Sequence, residues 1–268
     1  MTIAHGVVVQ RMDELASLDS PIHRLDARAK ALAALAFIVA VMSFPRYEIT
    51  ALTPFFIFPV ALLALGGIPP VFILKKLLIA LPFALFIGLF NPLLDRQPVA
   101  LPGGGVLAAG WLSFLSILVR FVLTVGAALG LIACTGMVRL CAGLDRMGLP
   151  RVFAVQLLFL HRYLFVIADE ALRMRRGLGS RSADGRAPAL RVYVSLIGHL
   201  LLRAMDRAQR IYGAMLARSF DGEIRTLHAA RWRPGDVAFT AGWIAFFVAA
   251  RRWNLAELAG GLLTGGAQ

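Results

Sequence analysis

Apolar residues fall in five runs that read as membrane helices, at about Ala31–Phe44, Ile49–Leu65, Leu77–Leu94, Trp111–Thr135 and Val237–Ala250. About 17–25 residues are expected for a span, so the first two are short. Pro45-Arg46-Tyr47-Glu48 makes the turn between them. The third is entered through Pro69-Pro70 and Lys75-Lys76 and stopped by Asn91-Pro92 and Asp95-Arg96. Gly103-Gly104-Gly105 marks the stretch Pro98–Gly110 as a flexible loop. Arg120, near the centre of the fourth run, is costly in lipid and should face other helices or headgroups. Gly66, Gly67, Gly88, Gly126 and Gly130 suggest close helix packing. The fifth run has Arg231 and Arg233 before it and Arg251-Arg252 after it, so local charge leaves its orientation open.

Between the fourth and fifth runs the pattern changes. From Pro150 to about Ser180, Phe153, Leu157, Leu160, Leu164, Ile167 and Ala171 recur at spacings of three and four, which is one helix face. The other face turns charged after His161-Arg162. A second helix, about Ala189–Arg218, carries Val194, Ile197, Leu201, Ala204, Ala208, Ile211 and Met215 on one face. Its polar side holds Arg203, Asp206, Arg207 and Arg210, with Asp206 spaced to pair with Arg203 or Arg210. At 1.5 Å per residue each helix would be about 45 Å long. That exceeds a hydrocarbon layer of roughly 30 Å, yet the arginines argue against spanning it. The expectation is two long helices that cross at or below the cytoplasmic membrane surface, joined by a turn at Ala183-Asp184-Gly185-Arg186.

Composition settles the class. Hydrophobic residues make up 59% of the chain, mean hydropathy is +0.75 and only 16% of residues are charged, too apolar for an ordinary soluble domain. The net charge of +13 is concentrated, because Asp169–Arg233 holds thirteen arginines against six acids, a net +7. Such a segment belongs on the cytoplasmic side and suits presentation to a partner. No nucleic acid is expected, since the arginines are not interleaved with aromatic stacking platforms. Cys134 and Cys141, seven apart, would share a helical face two turns apart, which excludes an intrahelical disulfide and suggests buried packing. His5, His23, His161, His199 and His228 are scattered without ligand spacing and read as surface or interface groups. His23-Arg24-Leu25-Asp26 reads as an interfacial helix start with snorkelling charge. Met1–Ser20 shows no secretory signal pattern. No zinc-protease, nucleophile-elbow or P-loop motif occurs, so no catalytic, cofactor-binding or metal-ligating residue is expected.

Each amphipathic helix ends on an arginine-centred tripeptide, Ser180-Arg181-Ser182 and Ala217-Arg218-Ser219, and the second runs into Phe220-Asp221-Gly222. A cation at a helix carboxyl end is favoured by the macrodipole, which alone would explain either one. Two equivalent tips also suit forked hydrogen bonding in acidic grooves of a partner.

The chain resembles the transmembrane T component of energy-coupling factor (ECF) importers, and within it the cobalt-type CbiQ subunits. The resemblance rests on Ser20-Pro21-Ile22-His23-Arg24-Leu25-Asp26-Ala27-Arg28-Ala29-Lys30, Phe90-Asn91-Pro92, Leu149-Pro150, His161-Arg162-Tyr163-Leu164 and the run Arg207–Gly222. In such proteins paired Ala-Arg-Gly motifs end the coupling helices and dock on two ATPases. Here both tripeptides lack the final glycine and the first also lacks the alanine, with Arg176-Gly177 as a competing frame. The resemblance implies an all-α polytopic protein with about five transmembrane helices and two long amphipathic cytoplasmic coupling helices. It implies a domain order of 1–148 (interfacial segment and spans), 149–235 (coupling module) and 236–268 (last span and tail). It further implies a non-catalytic subunit of a multi-pass complex in the bacterial inner membrane, with Ser180, Arg181, Ser182, Ala217, Arg218 and Ser219 as docking residues. Partners would be two ATPases, which use ATP and Mg, and a separate substrate-binding membrane subunit for cobalt that feeds cobalamin synthesis, or for nickel or a vitamin. The chain itself would bind no cofactor.

Overall fold

The computed structural model describes residues 16, 20–45, 48–94, 98–100, 106–181, 189–222 and 232–253. The expected turn at Ala183–Arg186, the docking residue Ser182, His5, His228 and the segment from residue 254 onward lie outside them. In chain order the helices are α1 (Ala27–Met42), a 3₁₀ segment (Thr50–Phe56), α2 (Ile57–Gly66), α3 (Pro70–Leu94), α4 (Ala109–Thr135), α5 (Met137–Arg146), α6 (Arg151–Arg181), α7 (Leu190–Leu216) and α8 (Pro234–Trp253). Between α3 and α4 a two-stranded antiparallel hairpin pairs β1 (Pro98–Ala100) with β2 (Val106–Ala108). The loop expected at Pro98–Gly110 is therefore in part a ladder, whose short strands flank the glycine-rich residues 101–105.

Two compact units divide the described residues. Those of Arg11–Gly143 and Ala230–Gln268 form one, and those of Leu144–Ala229 form the other. Within the first of these units the Asp236 carboxylate accepts from the Asp26 N–H at 2.9 Å and ties the start of α8 to the start of α1.

In the first unit α4 packs against α1, α2 and α3, and α8 against α1. Its centre is aromatic. Phe37 stacks on Phe58 at 4.8 Å and meets Phe247 edge-on at 5.4 Å, while Phe58 meets Trp243 edge-on at 4.9 Å. Between membrane helices lipid is as apolar as the neighbours, so such contacts stabilise through packing rather than expulsion from water. Close approach is real at two of the glycines: a Cβ on Gly66 would lie 2.8 Å from Cys134 Sγ, and one on Gly88 2.8 Å from the Phe114 ring. Gly67 instead ends α2 in the left-handed region, with φ +63. Arg120 does face another element, and donates to the carbonyls of Phe44 (3.0 Å) and Pro45 (2.7 Å) beyond the end of α1.

Several local expectations change. The third run begins seven residues early because Pro70 starts α3, a position that needs no N–H partner, and the helix continues through Pro92. The second run splits into the 3₁₀ segment, which contains Pro54, and α2. Gly136, at φ +75, ends α4, so Cys134 and Cys141 sit on different helices, both buried and free. His23 and Asp26 are buried rather than snorkelling: His23 Nδ1 bonds Ser20 Oγ at 2.7 Å, and Asp26 caps α1 by accepting from Arg28 N at 3.0 Å. Arg139 on α5 holds this entry segment through the carbonyls of His23 (3.1 Å) and Ala16.

Among the described residues three helices are long and apolar enough to cross a membrane: α3 over Pro70–Pro92, α4, and α6. Thr50–Gly66 is a shorter apolar helical stretch. With α6 the arginine argument is weaker than the sequence suggests, because up to Ala168 only Arg151 and Arg162 are charged, and the dense charges begin at Asp169. The chain is an all-α, multi-pass membrane protein.

Candidate functional site

The two amphipathic helices form as their periodicity dictates. Of their residues only Ala154 is buried on α6, and none on α7. Val194, Ile197, Leu201 and Leu202 are each about 60% exposed or more, as are Val152, Phe153 and Leu160. Helices of this kind draw little stability from their own unit and present apolar surface to something else.

Glu170 joins the two helices. Its carboxylate takes a hydrogen bond and ion pair from Arg203, 33 residues away, and a second ion pair from Arg173 one turn on, at 3.3 Å. Arg203 is thus engaged across the helix pair. Asp206 makes no ion pair with Arg203 or Arg210 among the described residues, contrary to the spacing on the helix surface. The Glu170–Arg173 pair was legible from its spacing of three; the Glu170–Arg203 pair was not, since nothing local marks it.

Of the two tripeptides, Ser180 and Arg181 close α6 and Ala217, Arg218 and Ser219 follow the end of α7, and these five residues are exposed. Arg181 is the last residue of α6, and Ser180 Oγ donates back to the Arg176 carbonyl at 3.2 Å. At the end of α7, Phe220 N donates to Met215 O and Ser219 N to Leu216 O, both at 3.0 Å, which is a Schellman closure. Its left-handed residue is Ser219, at φ +57 the one non-glycine residue with positive φ among the described residues. The third position of the second tripeptide is therefore one that glycine would occupy without strain, and serine holds it against the Cβ penalty. Arg218 precedes it, with its guanidinium at the negative end of the helix dipole. Neither Arg181 nor Arg218 makes an ion pair with a described residue, so both guanidinia remain available. No group of three or more His, Cys, Asp or Glu that could hold a metal occurs among the described residues.

Comparison with known proteins finds a family that the sequence of this chain matches. The model of the CbiQ cobalt transport protein family covers residues 19–228. Cobalt transport protein CbiQ of Rhodobacter capsulatus is 33% identical over 112 residues, 41% of this chain and 45% of that protein. The energy-coupling factor transporter transmembrane protein EcfT of Heliobacterium modesticaldum is 29% identical over 264 residues, 89% of this chain and 95% of that protein. The chain thus spans under half of the first relative and nearly all of the second. The family match runs from the α1 entry segment through both exposed helices and past the second arginine tip, and on that ground the chain belongs to the CbiQ family of cobalt transport proteins.

Proposed function

We propose that this chain is the transmembrane coupling subunit of an ATP-driven ECF-type cobalt importer in a bacterial inner membrane. One observation carries the reading: two long helices keep their apolar faces exposed and end on available arginines, in a chain whose CbiQ match covers residues 19–228. Two ATPases bind the tips, one at Ser180-Arg181-Ser182 and the other at Ala217-Arg218-Ser219, and supply the ATP and Mg chemistry. This chain contributes no catalytic group and binds no cofactor. Closure of the ATPases displaces α6 and α7, and the movement reorients a separate membrane subunit that carries the cobalt. Long helices suit this role because their hydrogen-bonded backbone transmits displacement along its length. The near-full-length similarity to an EcfT protein, whose name specifies no metal, favours a second cargo reading: the same subunit serving nickel or a vitamin.

Co-purification with the ATPases and ATP-dependent uptake of radiolabelled cobalt test the proposal. Each charge-assisted contact is worth about 1.5–3 kcal/mol, so Arg181→Glu or Arg218→Glu should weaken docking roughly tenfold or more. The double variant should abolish uptake, while Arg225→Glu, outside both tripeptides, should not. Wild-type uptake by the double variant would reduce the tips to ordinary helix caps, and uptake of nickel or a vitamin in place of cobalt would select the second cargo.

A further inference from the structure

Two depressions lie between α6 and α7 and share Ile167, Ala204 and Arg207. The first, about 330 Å³, is lined by Phe159, Tyr163, Ile211 and Met215 together with the small Ala204 and Ala208. The second, also about 330 Å³, is charged, with Arg203, Arg207 and Arg210 facing Glu170 and Asp206. Together they make one amphiphilic groove, apolar at one end and cationic at the other.

Its charges are unevenly used. Glu170 is committed to Arg203 and Arg173, whereas Arg207, Arg210 and Asp206 make no ion pair among the described residues, which leaves two cations against one anion and a net +1. The apolar part is at the small end of the roughly 300–1,000 Å³ usual for small-ligand sites, which fits an occupant one hydrocarbon chain thick. A partner helix, about 10 Å across, is too wide for it. A free anion would satisfy the arginines and leave the apolar wedge empty. A zwitterionic choline headgroup would bring an ammonium beside the guanidinia. The matching ligand has an acyl chain and a phosphodiester with no compensating cation, and a multi-pass protein meets such molecules in its own bilayer.

We propose that the groove between α6 and α7 binds one anionic phospholipid, its acyl chain in the Phe159–Met215 wedge and its phosphodiester on Arg207 and Arg210. The lipid fills the space that the two helices leave between them and couples their positions beside the Glu170–Arg203 bridge. The inference does not depend on ATPase docking at Arg181 and Arg218.

Native mass spectrometry of the full-length chain, delipidated and titrated with phosphatidylglycerol or with phosphatidylcholine of the same acyl composition, tests it. One phosphatidylglycerol should be retained, with at least tenfold preference over phosphatidylcholine. The Arg207→Gln/Arg210→Gln double variant should lose that preference. Ala208→Trp, which fills the wedge, should lower retention of both lipids. Glu170→Gln should raise retention of phosphatidylglycerol, because it releases Arg203 to the phosphate, and Arg181→Glu/Arg218→Glu should leave it unchanged. Circular dichroism checks that each variant keeps its helix content, and the glutamine variants alone decide the matter if Ala208→Trp does not fold. Equal retention of the two lipids, wild-type retention by the arginine double variant, or displacement by inorganic phosphate or by an acidic amphipathic peptide at equimolar concentration would overturn the assignment.

Discussion

Asp236 and Glu170 are both carboxylates set among cations, and the molecule uses them in opposite ways. Asp236 is 2% exposed at the start of α8, where it accepts from the N–H groups of Asp26 (2.9 Å) and Arg233 (2.8 Å). Lys30, equally buried, lies within its electrostatic reach and donates to the Cys134 carbonyl at 3.1 Å. Four parts of the chain, the α1 entry, the end of α4, α5 and the start of α8, converge on this polar knot. Glu170 is on an accessible surface, and its arginines are more than half exposed. The knot is a structural clamp, costly to break because its groups have no water to fall back on. The surface bridge is adjustable, since solvent replaces either partner cheaply. One unit is therefore built to hold its shape, and the other to change what it touches.

Breaking the knot should give the largest effect. Asp236→Ala leaves the N–H groups of Asp26 and Arg233 without their acceptor, a loss of about 1–3 kcal/mol for each buried donor. A strongly lowered melting temperature of the detergent-solubilised chain is the expected result, and an unchanged one would mean that the two regions do not differ in the way described.

A smaller effect, of opposite sign, is expected at the tip of α7. Ser219→Gly relieves a left-handed serine, with a gain of about 1 kcal/mol at most, and leaves Arg218 in place. The melting temperature should rise slightly and ATPase co-purification should be kept. A fall in stability would show that the serine side chain contributes more than its backbone strain costs.

The smallest effect belongs to the exposed face. Ile197→Ser with Leu201→Ser should change the stability of the isolated chain by no more than about 0.5 kcal/mol, because neither side chain is buried there. Recovery of the assembled complex should fall nonetheless. A large loss of intrinsic stability would place these residues in a core and remove the contrast between the units.

Much of this was legible locally. The spacing of Phe153, Leu157, Leu160 and Leu164 announces α6, and α4 follows its apolar run to within two residues at the start and ends at Thr135 as expected. Helix α5 went unread because it follows α4 with no break but Gly136, whose left-handed backbone ends one helix and lets the next set off in its own direction. The entry segment read as a snorkelling surface because its composition is polar. Its burial depends on Asp236, 210 residues further along, which no local pattern reports.

The sequence by itself determined the class, most of the helices and the arginine tips, since composition, hydrophobic period and end-of-helix chemistry are properties of neighbouring residues. The tertiary structure decided which polar groups are buried together, that Arg203 turns to Glu170 and leaves Asp206, and that α6 and α7 keep an amphiphilic groove between them. Each of these depends on residues 33 or more positions apart, and such pairs are chosen by how helices pack, a choice that local periodicity does not encode.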